Sequence, residues 1–160
     1  MRLILALVLL AACGRLGFDD TDATLLDEGS VSDDCVLVPD LTFVLSQGPI
    51  IGYNDTTGYA NDTEPLCTGS LANGPDWISA VQVEAGQIFT ATVHPTGWDA
   101  SIYITNTCER SPSCLIGANA ASASSSETVR ATIPVTGLYY LVVDGGVNDY
   151  GPFSVDIELE

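Results

Sequence analysis

Three observations predict an all-β chain, a jelly-roll-like antiparallel β-sandwich of seven or eight strands. No stretch of useful length places apolar residues at helical spacing. Short segments alternate apolar and polar residues instead, the period of a half-buried strand. Gly, Pro and Asn punctuate those segments where turns are needed.

In chain order, Leu41–Leu45 is a short apolar strand, and Trp77–Val83 follows the Asn73-Gly74-Pro75 loop. Glu84-Ala85-Gly86 then turns the chain into Gln87–Val93, a predicted hairpin partner for Trp77–Val83. Within Gln87–Val93, Phe89, Ala91 and Val93 alternate with Thr90 and Thr92. In Ala100–Thr105, Ala100, Ile102 and Ile104 share one face. Val129–Ile133 ends at Pro134 and Gly137. Leu138–Val143 is an uninterrupted apolar run, as expected for a central strand covered on both sides. Phe153, Val155, Ile157 and Leu159 alternate with Ser154, Asp156 and Glu158 to close the chain.

The residues before the first strand are of two kinds. Residues 1–12 have one basic residue, Arg2, an apolar run Leu3–Leu10 and then Ala11-Ala12 before Cys13. That run is far shorter than the roughly 18–20 residues that span a bilayer, and its layout is that of a secretory signal. Leu10-Ala11-Ala12-Cys13 resembles the lipobox of bacterial lipoproteins. The resemblance implies acylation of the Cys13 thiol and cleavage that leaves Cys13 as the mature N-terminus. Two or more acyl chains, at about 0.8 kcal/mol per buried CH₂, make such an anchor stable. Gly14 in place of Asp after the cysteine favours the outer membrane or cell surface. Residues 13–34 follow as the lipidated cysteine and an acidic tether. Asp19, Asp20, Asp22, Asp27, Glu28, Asp33 and Asp34 repel one another there and extend the linker. Residues 35–160 are left as one domain.

The chain has 4 Lys+Arg, none of them lysine, against 21 Asp+Glu, for a net charge of −17. Phosphate backbones are bound by Lys and Arg, so nucleic acid is excluded as a partner. Contact with membrane is expected through the covalent lipid only.

Setting Cys13 aside leaves Cys35, Cys67, Cys108 and Cys114, an even number that in an exported chain implies disulfides. Of the three pairings four cysteines allow, Cys108–Cys114 with Cys35–Cys67 is the expected one. Zinc is a poor competitor, because there is no C-x-x-C and the single histidine, His94, precedes Pro95 away from any cysteine.

Asp76-Trp77, Ala85-Gly86, Trp98-Asp99-Ala100-Ser101-Ile102-Tyr103, a cysteine-bounded loop and Leu115–Asn119 occur in that order. Gly137-Leu138-Tyr139-Tyr140-Leu141-Val142-Val143-Asp144-Gly145 and Gly151-Pro152-Phe153-Ser154-Val155 follow. This order resembles the bacterial pre-peptidase C-terminal (PPC) domain over about Cys35–Glu160. Ala120 and Ala121 depart from the acidic residues that family members often carry after the asparagine matching Asn119. The resemblance implies a jelly roll that serves adhesion, substrate binding or assistance to a secreted enzyme. Calcium sites of related collagen-binding modules direct attention to Asp55, Asn61, Asp62 and Asp76. Calcium takes 6–8 oxygen ligands, whereas Asn-Asp pairs in Gly- and Thr-rich loops are also turn formers, and turn formation is the favoured reading. No cofactor is required; calcium is the one these residues could use. Asp99 and Asp144 are assigned to structure, as carboxylates accepting turn hydrogen bonds at strand ends.

No catalytic constellation is legible, since a serine or cysteine nucleophile needs a base and His94 stands alone in the sequence. Trp77, Trp98, Tyr53 and Tyr59 are candidates for an aromatic sugar platform, with the two tryptophans expected at the core. The expectation is a non-enzymatic cell-envelope lipoprotein whose β-sandwich binds extracellular polysaccharide or matrix protein. Its alternatives are a structural or assembly lipoprotein with no small ligand, or an accessory subunit of a secreted hydrolase.

Overall fold

The computed structural model describes residues 50–69, 72–120 and 122–160. The leader, Cys13, the tether, Cys35 and the Leu41–Leu45 segment lie outside the described residues. Eight strands follow in order: β1 (Ile50–Asp55), β2 (Trp77–Val83), β3 (Ile88–Pro95), β4 (Ala100–Thr105), β5 (Cys114–Ala118), β6 (Glu127–Thr132), β7 (Gly137–Gly145) and β8 (Pro152–Leu159). They form two four-stranded sheets of order β1-β8-β3-β6 and β2-β7-β4-β5, with every pairing antiparallel. The chain is an all-β jelly-roll sandwich, as its alternation predicts.

Alternation also fills the interior. Phe89, Ala91 and Val93 of β3 and Phe153, Val155 and Ile157 of β8 meet Ala100, Ile102 and Ile104 of β4 and Leu141 and Val143 of β7 in one core. Phe153 lies between the tryptophans, edge-on to Trp77 at 5.6 Å and to Trp98 at 6.4 Å. Trp98 is buried and its indole N–H donates to the Pro152 carbonyl at 3.0 Å, so it belongs to the core and not to a platform. The continuous Leu138–Val143 run lies in β7, an inner strand between β2 and β4.

One expectation about connectivity needs correction. β2 and β3 are not a hairpin: β2 pairs with β7, while β3 pairs with β6 and β8 in the opposite sheet. Both strands carry an apolar face, and placing them in opposite sheets brings both faces into the one core. Gly86, at φ 91°, makes the corner. β1 is a strand that the alternation did not announce, because Gly52 and Asn54 interrupt its inward face.

The disulfide pairing is also corrected. Cys67 bonds Cys114 across 47 residues with Cα atoms 5.7 Å apart, which excludes Cys108–Cys114 and Cys35–Cys67. Cys108 is disulfide-bonded as well. Hydroxyl bonds already close the β4–β5 loop, from Thr105 Oγ1 to the Thr107 carbonyl and from the Ser113 N–H to Thr107 Oγ1. That leaves Cys108 to pack with Cys67 against Ala72, Ile78, Tyr103 and Val142. Gly117 lets the Cys67 loop lie on β5, since a Cβ there would press on the Cys67 Cβ at 2.8 Å.

At the end of β7, a Cβ on Gly145 would overlap the Asp149 carbonyl oxygen. The same Gly145 carbonyl accepts from the N–H groups of Asn73 and Gly74 at 3.0 Å. Gly145→Ala is therefore expected to cost about 1–3 kcal/mol through forced backbone displacement. Denaturant unfolding checks it.

Candidate functional site on the outer face of the first sheet

Strand registry turns scattered residues into rows on the solvent side of β1-β8-β3-β6. Ile51 faces Asp156, Asp156 faces Thr92, and Thr92 faces Thr128. The next row runs from Tyr53 through Ser154 to His94. A further row places Glu158 beside Thr90 and Thr90 beside Arg130. Because the odd-numbered positions of β3 and β8 fill the core, the even-numbered polar ones must face outward.

Tyr53 is 81% exposed and Ile51 is 64% exposed, at one edge of this face. Beside them is an open groove of about 380 Å³ lined by Ile50, Ile51, Thr90, Thr92, Asp156, Ile157 and Glu158. Exposed Ile51 is its apolar part, and Thr90, Thr92, Asp156 and Glu158 line it with hydroxyls and carboxylates. Thr90 Oγ1, at the groove wall, is buried without a hydrogen-bond partner. Thr92 and Thr128 share a hydrogen bond at 2.9 Å, and Arg130 pairs with Glu160 at 3.3 Å.

His94 is not isolated in the fold. Its Nδ1 lies 2.6 Å from Ser126 Oγ and its Nε2 lies 3.1 Å from Asp156 Oδ2. Nothing in the sequence could announce this, because the three residues are 32 and 62 positions apart. Only the pairing of β3 with both β6 and β8 brings them together.

Among the described residues no group of three or more His, Cys, Asp or Glu is placed to hold a metal ion, so Asp55, Asp62 and Asp76 do not form one. Asp55 caps the Thr57 N–H at 2.8 Å, and Asn61 Nδ2 donates to Glu64 Oε1 and the Asn73 carbonyl. Asp76 accepts from the N–H groups of Asp62 and Thr63 and from Thr63 Oγ1. Its role is to fold the 61–64 loop onto the sandwich.

Asp76 is one end of a buried chain. Thr63 Oγ1 is 2.7 Å from Asp76 and 3.0 Å from Tyr103 Oη, which is 3.0 Å from Asp144 Oδ2. Asp144 also accepts the Gly145 N–H. Two hydroxyl protons serve three oxygen–oxygen contacts, so complete pairing takes a third proton from a carboxyl. Asp144 is the group to hold it: burial, and then the charge of Asp76, push its pKa up to about 8. Asp76 rises to about 6, mainly by burial, with the bonds from Thr63 opposing. Asp99 is half-buried; burial and then the charges of Asp149 and Glu127 raise its pKa.

No protein-family model and no curated protein matches the chain. Among solved structures, the chain is similar to Aeromonas hydrophila PliG, a periplasmic lysozyme inhibitor of g-type lysozyme. The TM-score is 0.41 at 12% identity, over 70% of this chain and 84% of that chain. A likeness at that level transfers no function.

Proposed function

We propose that the chain is an exported, lipid-anchored β-sandwich module that binds polysaccharide on the outer face of the first sheet. The groove beside Tyr53 carries this reading. An exposed aromatic ring offers a stacking surface, exposed Ile51 suits the apolar side of a pyranose, and Thr92, Asp156 and Glu158 accept hydroxyl protons. Its volume falls within the ~300–1,000 Å³ range of small-molecule sites. Carboxylates at the rim disfavour acidic polymers, so a neutral or amino-sugar polysaccharide is the ligand class.

The Cys67–Cys114 bond supports an oxidising compartment, and Leu10-Ala11-Ala12-Cys13 supports a lipid anchor there. The order of the Trp98–Tyr103 and Gly137–Gly145 motifs supports kinship with PPC modules. Mass spectrometry of the mature protein is expected to find an acylated Cys13 at the N-terminus; an unmodified thiol there would remove the anchor.

A glycan array is expected to identify a neutral or amino-sugar polymer, and Tyr53→Ala to weaken its binding about tenfold or more, on the order of 1.4 kcal/mol. Thermal stability should hardly change, since Tyr53 packs in no core. Array-wide silence, or binding indifferent to Tyr53→Ala and Thr90→Ala alike, would remove the groove from consideration.

A further inference from the structure

The geometry points to Ser126 as an activated nucleophile, and to the outer sheet face as a site that removes small acyl groups, O-acetyl esters above all, from a bound polysaccharide. The substrate assignment rests on the polysaccharide reading; the nucleophile does not.

The tautomer of His94 follows from its partners. An ionised Asp156 can only accept, so the 3.1 Å contact requires the proton on Nε2. In the neutral ring Nδ1 then carries the lone pair and accepts the Ser126 hydroxyl at 2.6 Å. This is the base–orienter arrangement that makes a serine hydroxyl nucleophilic. His94 stands on β3 and Asp156 on β8, adjacent inner strands whose registry is set by the core beneath them. Ser126 immediately precedes β6, on the other side of β3. Asp156 both orients His94 and lines the groove, so the groove adjoins the triad on its Asp156 side.

Ser126 Oγ attacks the ester carbonyl carbon while its proton passes to His94 Nδ1. The carbonyl–oxygen bond to the sugar breaks, and the departing sugar oxygen takes that proton from His94. Water then attacks the acetyl-Ser126 ester, giving its proton to His94, which returns it to Ser126 Oγ as acetate leaves. Bulk water is the only co-reactant. His94 and Asp156 are 41% and 51% exposed, so a small ester reaches the nucleophile without an enclosed acyl pocket. In this scheme Ser126 and His94 are catalytic and Asp156 is a positioning residue.

The full chain in detergent would be treated with a fluorophosphonate, and p-nitrophenyl acetate turnover measured in parallel. The expected result is phosphonylation located at Ser126 by peptide mass spectrometry. Turnover should fall at least ~100-fold in Ser126→Ala and His94→Gln. Asp156→Asn should fall about tenfold or more, and Asp156→Glu should recover part of that loss, which a merely structural residue would not do. No labelled serine, or labelling unchanged in His94→Gln, overturns the nucleophile. Labelling of Ser126 with no glycan retained by the wild-type chain overturns the polysaccharide substrate and leaves the nucleophile standing. Glycan retention without labelling does the reverse.

Discussion

Between pH 5 and pH 9 the fold is expected to lose on the order of 4 kcal/mol of stability through Asp144 alone. Its folded pKa of about 8 lies above the value of 3.8 expected for the unfolded chain. The folded state therefore binds more protons than the unfolded state across that interval. The contribution is complete below about pH 4 and is lost as pH rises through about 8. Asp76, raised to about 6, acts in the same direction over the lower part of the window. Against a typical total of about 5–15 kcal/mol, the effect would dominate the stability profile. Asp144→Asn separates this cause from general charge repulsion. Asparagine imitates the protonated acid: its amide donates to Tyr103 Oη, Tyr103 to Thr63, and Thr63 to Asp76. The variant should match wild type near pH 5, exceed it near pH 9, and show a much flatter profile. Asp76→Asn should destabilise at every pH, because its carboxylate accepts three donors and an amide cannot. Urea midpoints that rise from pH 5 to pH 9, or an Asp144→Asn profile as steep as wild type, would contradict a proton held in this chain.

Replacing Cys67 and Cys114 together by alanine is expected to cost about 4 kcal/mol, the chain-entropy value for a crosslink of this span. For a domain of this size that is a melting-point drop of roughly 10–20 °C. The long connection from β1 to β2 is held by other contacts as well. They include the Glu64 N–H to the Arg110 carbonyl at 2.6 Å, an exposed Arg110–Glu64 ion pair, and the Asp76 chain. An exposed ion pair contributes little. Peptide mapping without reduction should join Cys67 to Cys114; a Cys108–Cys114 link would return the pairing to the sequence-based expectation. A melting point that falls by less than about 3 °C would show that the loop contacts suffice.

Strands were legible wherever one face meets the core and the other meets water. β3 and β8 are the clearest cases, with Phe89-Ala91-Val93 and Phe153-Val155-Ile157 inward and Thr or acid outward. β1 was hidden because a glycine and an asparagine occupy inward positions, so its assignment rests on pairing with β8. The Glu84–Gln87 turn was legible as a turn but not as a corner between sheets. Local turn chemistry is nearly the same in both cases, and the partner strand decides. Trp98 was correctly expected at the core, and Tyr53, a candidate for an aromatic platform, is exposed.

From its residues alone the chain established an all-strand fold, which side of most strands is buried, and a strongly acidic surface. These are local or additive properties: side-chain period and net charge do not depend on which strand lies beside which. Tertiary structure alone decided which cysteines meet, that His94 lies between Ser126 and Asp156, and that Asp76 and Asp144 share one buried chain of hydroxyls. Each depends on registry between strands distant in sequence, and registry is set by the whole core being packed at once.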